Sequence, residues 1–244
     1  MRFDLSDEEW AILAPLIPAA RRSRRVDDRR IMNGIFFVLR TGIPARAVWP
    51  LHERLQPLQS LVGARYLGPD VCSAGGRIPR QPADDRQHHR QGAPCGRRRK
   101  RGERNQAIGI SRGGRSTKIH ALVDGTGRPL HFVVTGGQVH DNQVVGELLQ
   151  APQPPLAVTA DKAYDSKTAR QQIRDEGAVP VIPSRSTAVK KARCPKRIYR
   201  QRHKIENFFC RIKDWRRLAT RFDKLARNFL AATCLVAALY WAML

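Results

Sequence analysis

The chain has 244 residues, 45 Lys and Arg against 21 Asp and Glu, a formal net charge of +24, and 41% apolar residues at a mean hydropathy of −0.47. That apolar fraction suffices for a core and excludes a chain disordered throughout. Five cysteines (Cys72, Cys95, Cys194, Cys210 and Cys234) are odd in number and lack CxxC spacing, which excludes a disulfide framework and a zinc ribbon and points to a reducing, cytoplasmic setting. The opening MRFDLSDEEW carries acids where a signal peptide needs a basic flank, so export is not expected. The apolar stretch from Asn228, NFLAATCLVAALYWAML, falls short of the roughly 20 residues that cross a bilayer and reads as a buried helix, so no membrane partner is expected.

Residues 1–45 predict a small helical module. Ser6 followed by Glu9 is a capping-box pattern, opening a short helix with Trp10, Leu13 and Leu16 or Ile17 on one side and Pro15 and Pro18 at its end. A second helix starts at Asp27 or Asp28, with Ile31, Ile35, Val38 and Leu39 at helical spacing, and stops before TGIP. Two helices could begin a helix-turn-helix, but no recognition helix follows. Residues 46–100 change texture: ten Arg, one Lys, six Pro and no sustained apolar period predict a disordered or irregular basic segment.

Regular patterns return in 101–244. TKIHALVD and PLHFVVTG flank DGTG and predict a hairpin spanning Lys118 to Thr135. HDNQVVGELLQ predicts a helix with Val144, Val145, Leu148 and Leu149 on one face. A short strand LAVTAD ending at Asp161, a polar helix SKTARQQIRDEG closed by Gly177, a strand VPVIP and helices from Ile198 complete the chain. This alternation predicts an α/β domain with a mixed sheet flanked by helices.

Charge narrows the function. Between Arg185 and Arg227 stand 16 Lys and Arg against three acids, Glu206, Asp214 and Asp223. Because each cation that meets a phosphate releases a condensed counterion, nucleic acid is favoured over a merely solvated basic face or a membrane-surface helix. Two carboxylates stand out within that setting. Asp161 lies at the carboxyl end of a predicted strand, where α/β sheets present ligands. Glu206 borders the stripe Ile205, Phe208, Phe209 and Ile212 of a basic helix. The bland alternatives are an N-terminal cap to SKTARQ for Asp161 and an i,i+4 ion pair with Arg202 for Glu206.

Tyr199, Arg202, Glu206 and Lys213 match the spacing Y, two residues, R, three residues, E, six residues, R or K, and the strings RGERNQAIG, SRGGRSTKIHALVD, GQVHDNQ, ADKAYDS and RFDKLARNF accompany it. Together they resemble bacterial insertion-sequence transposases with a DDE active site, the family-five or IS402-like group, over 1–45 and about 100–244. The resemblance implies an RNase H-like catalytic domain in which three acids hold two Mg²⁺ ions, one activating the attacking oxygen and the other stabilising the leaving one. It also implies cleavage and strand transfer at terminal inverted repeats of double-stranded DNA, insertion into target DNA, a homo-oligomer on paired ends, and a place at the bacterial nucleoid. Asp161 takes the place of the second acid and metal ligand, and Glu206 that of the third. Tyr199, Arg202, Arg211 and Lys213 take the DNA-binding positions.

The first acid is missing. The family carries it in a strand motif resembling MIDSTIVRAH, where this chain reads ADDRQHHRQGAPCG, with neither a strand pattern nor an Asp before Ser or Thr. Asp84 and Asp85 lie nearby, yet a catalytic acid must be held by a rigid element. One permitted coding of DDRQHHRQG, read one nucleotide later, gives MIDSTIVR, and AVWPLHERLQPLQSLVGARYLGPD at the same offset gives RYGPYTSAYNRFNRWSARGIWDR, resembling the absent recognition helix. A frameshift over about 46–97 accounts for both, with the lost Asp codon straddling Arg86 and Gln87. The expectation is a transposase lineage without catalysis as written. A DNA-binding remnant that interferes with intact copies is the alternative, and a nuclease or RNA-binding protein on the same scaffold is the third reading.

Weaker signals carry less. His52, His88 and His89 show no metal-ligand spacing. His120 and His140 read as packing or surface groups, with His140 and Asp141 within possible reach of the site. Trp215 reads as core rather than as a stacking platform, and Arg97–Lys100 as a phosphate contact.

Overall fold

The computed structural model describes residues 4–17, 27–43, 83–91, 106–112, 114–150 and 155–242, the stretches 83–91 and 241–242 by their backbone. In chain order the elements are α1 (Asp7–Leu13), α2 (Asp28–Thr41), β1 (Ala83–Gln91), β2 (Gly109–Ser111), β3 (Gly114–Val123), β4 (Pro129–Gly136) and α3 (Val145–Leu148). They continue with β5 (Ala157–Ala160), α4 (Lys167–Asp175), β6 (Val179–Val181), α5 (Lys196–Tyr199), α6 (His203–Lys213), α7 (Arg216–Ala219) and α8 (Ala226–Ala242). The described residues form two compact units, one of 4–17, 27–43, 106 and 212–242, the other of 83–91, 107–112, 114–150 and 155–211. The division of the sequence into 1–45, 46–100 and 101–244 follows chain order, whereas the units do not: α8 joins α1 because its apolar surface needs a partner of its own.

In the helical unit the capping box forms as the sequence predicts. Glu9 N–H donates to Ser6 Oγ at 3.1 Å, and Ser6 N–H donates to Glu9 Oε2 at 2.7 Å. Asp27 caps α2 through Arg29 N–H, and the helix ends on Gly42 at φ +72°, a left-handed conformation that glycine adopts without strain. Met32, Ile35, Phe36, Val38 and Leu39 are its buried face, with Ile31 only half buried. Trp215 is a core residue: it lies 5.7 Å from Phe36 and donates from Nε1 to Tyr240 Oη at 3.1 Å. In RFDKLARNF, Arg217 grips Asp223 with two bonds of 2.9 Å. Arg221, 3% exposed, donates to the carbonyls of Asp223 and Gln106 and covers the Phe229 ring at 4.1 Å. Burial, opposed by Asp223, pulls its guanidinium down to about 10. No helix among the described residues is long and apolar enough to cross a membrane.

The second unit is built on a six-stranded sheet of order β2-β3-β1-β5-β6, with β4 also on β3. β1 runs antiparallel to β3 and parallel to β5, β6 parallel to β5, and β3 and β4 form the expected hairpin. Its turn is set by Asp124, whose Oδ1 accepts from the N–H groups of Thr126 and Arg128 and from the Thr126 hydroxyl. The helix expected over HDNQVVGELLQ is a 3-10 turn, Asp141–Gln143, followed by the four-residue α3, yet Val144, Val145, Leu148 and Leu149 are all buried as predicted. They join Leu122, Val133, Val158, Ala160, Tyr164, Ala169 and Ile173 in a core between one face of the sheet and α3 and α4.

One expectation is corrected. ADDRQHHRQ shows no strand pattern, but the chain is extended from Ala83 to Gln91. The slot explains it: β3 offers eight register partners along one side and β5 three at the start of the other, so β1 is paired by its neighbours whatever the local propensity. The rest of the irregular segment expected at 46–100 lies outside the described residues.

Candidate active site

Asp161 follows the last residue of β5, as the sequence predicts. Its Oδ1 accepts from Ala163 N–H at 2.8 Å and caps the 3-10 turn Lys162–Tyr164, which Tyr164, 1% exposed, anchors in the core. The sequence alternative of a cap to α4 is therefore corrected, because Ser166 fills that place, accepting from Ala169 N–H at 3.0 Å.

Glu206 stands in the first turn of α6, half buried, and takes Arg202 Nη2 at 2.9 Å on Oε1. The Arg202 guanidinium lies 5.5 Å from the centre of the Tyr199 ring, so Tyr199, Arg202 and Glu206 form one connected line. Both α5 and the 3-10 turn Arg200–Arg202 lie against β5, and that turn also lies against β1. The stripe predicted for α6 is buried: Ile205, Phe208, Phe209 and Ile212 are each at most 4% exposed. Phe208 stacks on Phe132 of β4 at 5.7 Å, and Lys204 Nζ donates to the carbonyl of Gly125 in the hairpin turn. Arg211 and Lys213 are exposed on the same helix.

Sequence reading missed the tie beside this site. Asp165 Oδ1 accepts from Arg170 Nε at 3.0 Å and Nη2 at 2.8 Å, its Oδ2 accepts from Arg185 N–H at 2.7 Å, and Arg170 Nη2 also donates to the Ile182 carbonyl. The segments after β5 and β6 are thereby clamped together. Burial works to raise the Asp165 carboxyl, but the Arg185 N–H and the Arg170 charge outweigh it and hold the group below its ordinary value. A DS step after ADKAY was the visible signal, read only as the start of a helix. Asp141, expected within possible reach of the site, stands in a 3-10 turn that lies against the Lys162–Tyr164 turn after Asp161, and it pairs with Lys118 Nζ at 2.9 Å, the side chains 15% and 8% exposed. Lys118 also donates to the Val139 carbonyl, and His120 Nε2 meets Thr135 Oγ1 in the core.

Divalent cations on hard oxygen ligands need several convergent carboxylates. Among the described residues no three His, Cys, Asp or Glu side chains group as metal ligands, and Asp161 and Glu206 each already accept a hydrogen bond. The described side chains alone therefore supply no two-ion donor set.

The structure thus sets one acid at the end of a sheet strand and a second on a basic helix lying against that sheet. Residues 85–241 match the family described as "Transposase DDE domain", and residues 5–60 match the one described as "Putative transposase of IS4/5 family". The first match covers well over half of the chain, and the chain belongs to the DDE-domain transposase family. It is 33% identical over 130 residues to a protein of Brucella ovis described as "Putative transposase for insertion sequence element IS6501", covering 52% of this chain and 98% of that one. It is 31% identical over 121 residues to a protein of Burkholderia cepacia described as "Putative transposase for insertion sequence element IS402", covering 45% of this chain and 55% of that one.

Proposed function

We propose that this chain derives from an enzyme of metal-dependent DNA cleavage and strand transfer at terminal inverted repeats, that it retains double-stranded DNA binding, and that it does not catalyse transfer itself. The observation that carries the reading is the connected line Tyr199–Arg202–Glu206 on a segment lying against β5, the strand that ends at Asp161. An RNase H-like arrangement is supported by the strand order, three antiparallel strands β4-β3-β1 continued by β5 and β6 parallel to β1. Asp161 and Glu206 take the places of the second and third metal-binding, catalytic acids of the ancestral Mg²⁺ site. Tyr199, Arg202, Arg211 and Lys213 face the DNA backbone, and two or more copies act on paired ends as in the family. With one carboxylate in three absent, the ions that would activate a 3′-hydroxyl or water are not held.

The deciding experiment is a strand-transfer assay with terminal-repeat DNA and Mg²⁺. The expected result is salt-sensitive retention of the DNA without joined product. Product that disappears in Asp161→Ala refutes the loss of catalysis, and retention no better than on unrelated DNA refutes the terminal-repeat reading. A second reading, an interfering subunit that joins intact copies, is favoured by the complete α5–α6 segment. It is tested by whether adding this chain lowers the activity of an intact relative.

A further inference from the structure

The stretch from β6 to α5 is basic throughout. No acid stands between Glu176 and Glu206, and residues 184–193, SRSTAVKKAR, carry Arg185, Lys190, Lys191 and Arg193. All four are exposed, and Lys190, Lys191 and Arg193 have no acidic partner among the described residues. The backbone that bears them is nevertheless pinned. Asp165 Oδ2 accepts from Arg185 N–H at 2.7 Å, Ser184 Oγ accepts from Ala192 N–H at 2.8 Å, and between them Ala188 N–H closes a turn on the Arg185 carbonyl at 3.1 Å. At the far end the half-buried Cys194 thiol feels the charge of Arg170, the guanidinium that Asp165 holds. The pin stands close to the candidate site. The Arg185 side chain reaches back along it, with Nη2 3.5 Å from the Ala163 carbonyl, and Ala163 N–H is the donor to Asp161 Oδ1.

We propose that residues 184–193 form a phosphodiester-binding lip beside Asp161, with Arg185, Lys190, Lys191 and Arg193 on the backbone of double-stranded DNA and Asp165 as the residue that positions them. This rests on the proposed DNA binding and extends it to a surface ahead of α5, outside the signature that runs from Tyr199 to Lys213. Like charges crowded on an ordered loop raise the free energy of the folded protein. A connection that only joined β6 to α5 would lower that cost by scattering acids among the cations. An ordered set without acids is stabilised when a polyanion lies across it and condensed counterions are released. Pinning the backbone beforehand also reduces the ordering entropy lost on binding. Contacts of this kind register charge and carry no sequence information, so the lip grips any duplex alike.

The test is the affinity of the full-length protein for a duplex without terminal-repeat sequence, read by fluorescence anisotropy from about 50 to about 200 mM salt. Lys190→Gln/Lys191→Gln lowers the slope of log affinity against log salt by about 2, and the affinity itself at least about tenfold. Arg185→Gln keeps the backbone N–H on Asp165 and lowers the slope by about 1. Arg112→Gln/Arg174→Gln removes the same charge as the lysine pair, from exposed residues after β2 and on α4, and leaves the slope unchanged. Asp165→Asn makes the protein more positive, so charge alone predicts tighter binding, whereas a loosened lip binds at least about threefold more weakly with a shallower slope. An unchanged slope in either loop variant, an equal loss in the Arg112/Arg174 control, or tighter binding by an Asp165→Asn protein with wild-type circular dichroism overturns the proposal. Tighter and equally loop-dependent binding of single-stranded RNA overturns it in favour of an RNA partner. Should Asp165→Asn not fold, the loop variants decide, since their exposed side chains hold no acid. Failure to prefer terminal-repeat DNA sinks the lineage reading but leaves this comparison standing, because the duplex carries no repeat.

Discussion

Replacing Asp165 by Asn tests whether the clamp beside Asp161 holds the sheet unit together. The carboxylate receives three N–H donors, two from the Arg170 fork and one from the Arg185 backbone, and an amide presents a donor to at least one of them. Arg170 would then keep a charge that is 10% exposed without its counter-ion. Breaking a buried pair costs roughly 3–5 kcal/mol, and because both side chains keep some contact with water the low end applies, about 3 kcal/mol. At roughly 2–4 °C per kcal/mol for a chain of this size, the melting point falls by about 6–12 °C. Thermal unfolding followed by circular dichroism reads the shift, and faster hydrogen exchange at the β5 and β6 amides locates it. A shift under about 2 °C refutes the reasoning, since the segments after β5 and β6 would then be held by packing alone. The pH arm has a definite sign. A carboxyl held below its ordinary value stabilises the fold fully above about pH 4, and that contribution disappears as the pH falls through the lowered folded value. The deficit of Asp165→Asn therefore shrinks below about pH 4.

Two further substitutions probe the scaffold. Gly42→Ala puts a Cβ on a residue at φ +72° and 3.2 Å from Phe222 Cε2, and lowers the stability of the helical unit by about 1–3 kcal/mol in urea unfolding. Lys118→Met leaves the Asp141 carboxylate, 15% exposed, and the Val139 carbonyl without their shared donor, and costs about 3 kcal/mol, visible as early unfolding of the sheet unit. A Lys118→Met protein as stable as the wild type would mean that water replaces the ammonium there.

What could be read in the sequence is what is decided within a few residues. The capping box needs only Ser6 and Glu9, the hairpin turn only Asp124 and the residues that follow, and the Arg202–Glu206 pair only one helical turn. The core stripe of α6 was legible for the same reason, because helical spacing puts Ile205, Phe208, Phe209 and Ile212 on one face in any context. The other half of the Asp165 clamp spans 20 residues to Arg185, and Lys118 finds Asp141 over 23, so no local pattern announces either.

Local chemistry along the chain thus determined where helices begin, where the hairpin turns, and which residues form the family's spaced signature. Tertiary structure alone decided the backbone conformation of ADDRQHHRQ. A strand takes its hydrogen bonds and its register from its neighbours, here β3 along eight residues and β5 along three, so its backbone is dictated by them rather than by its own side chains.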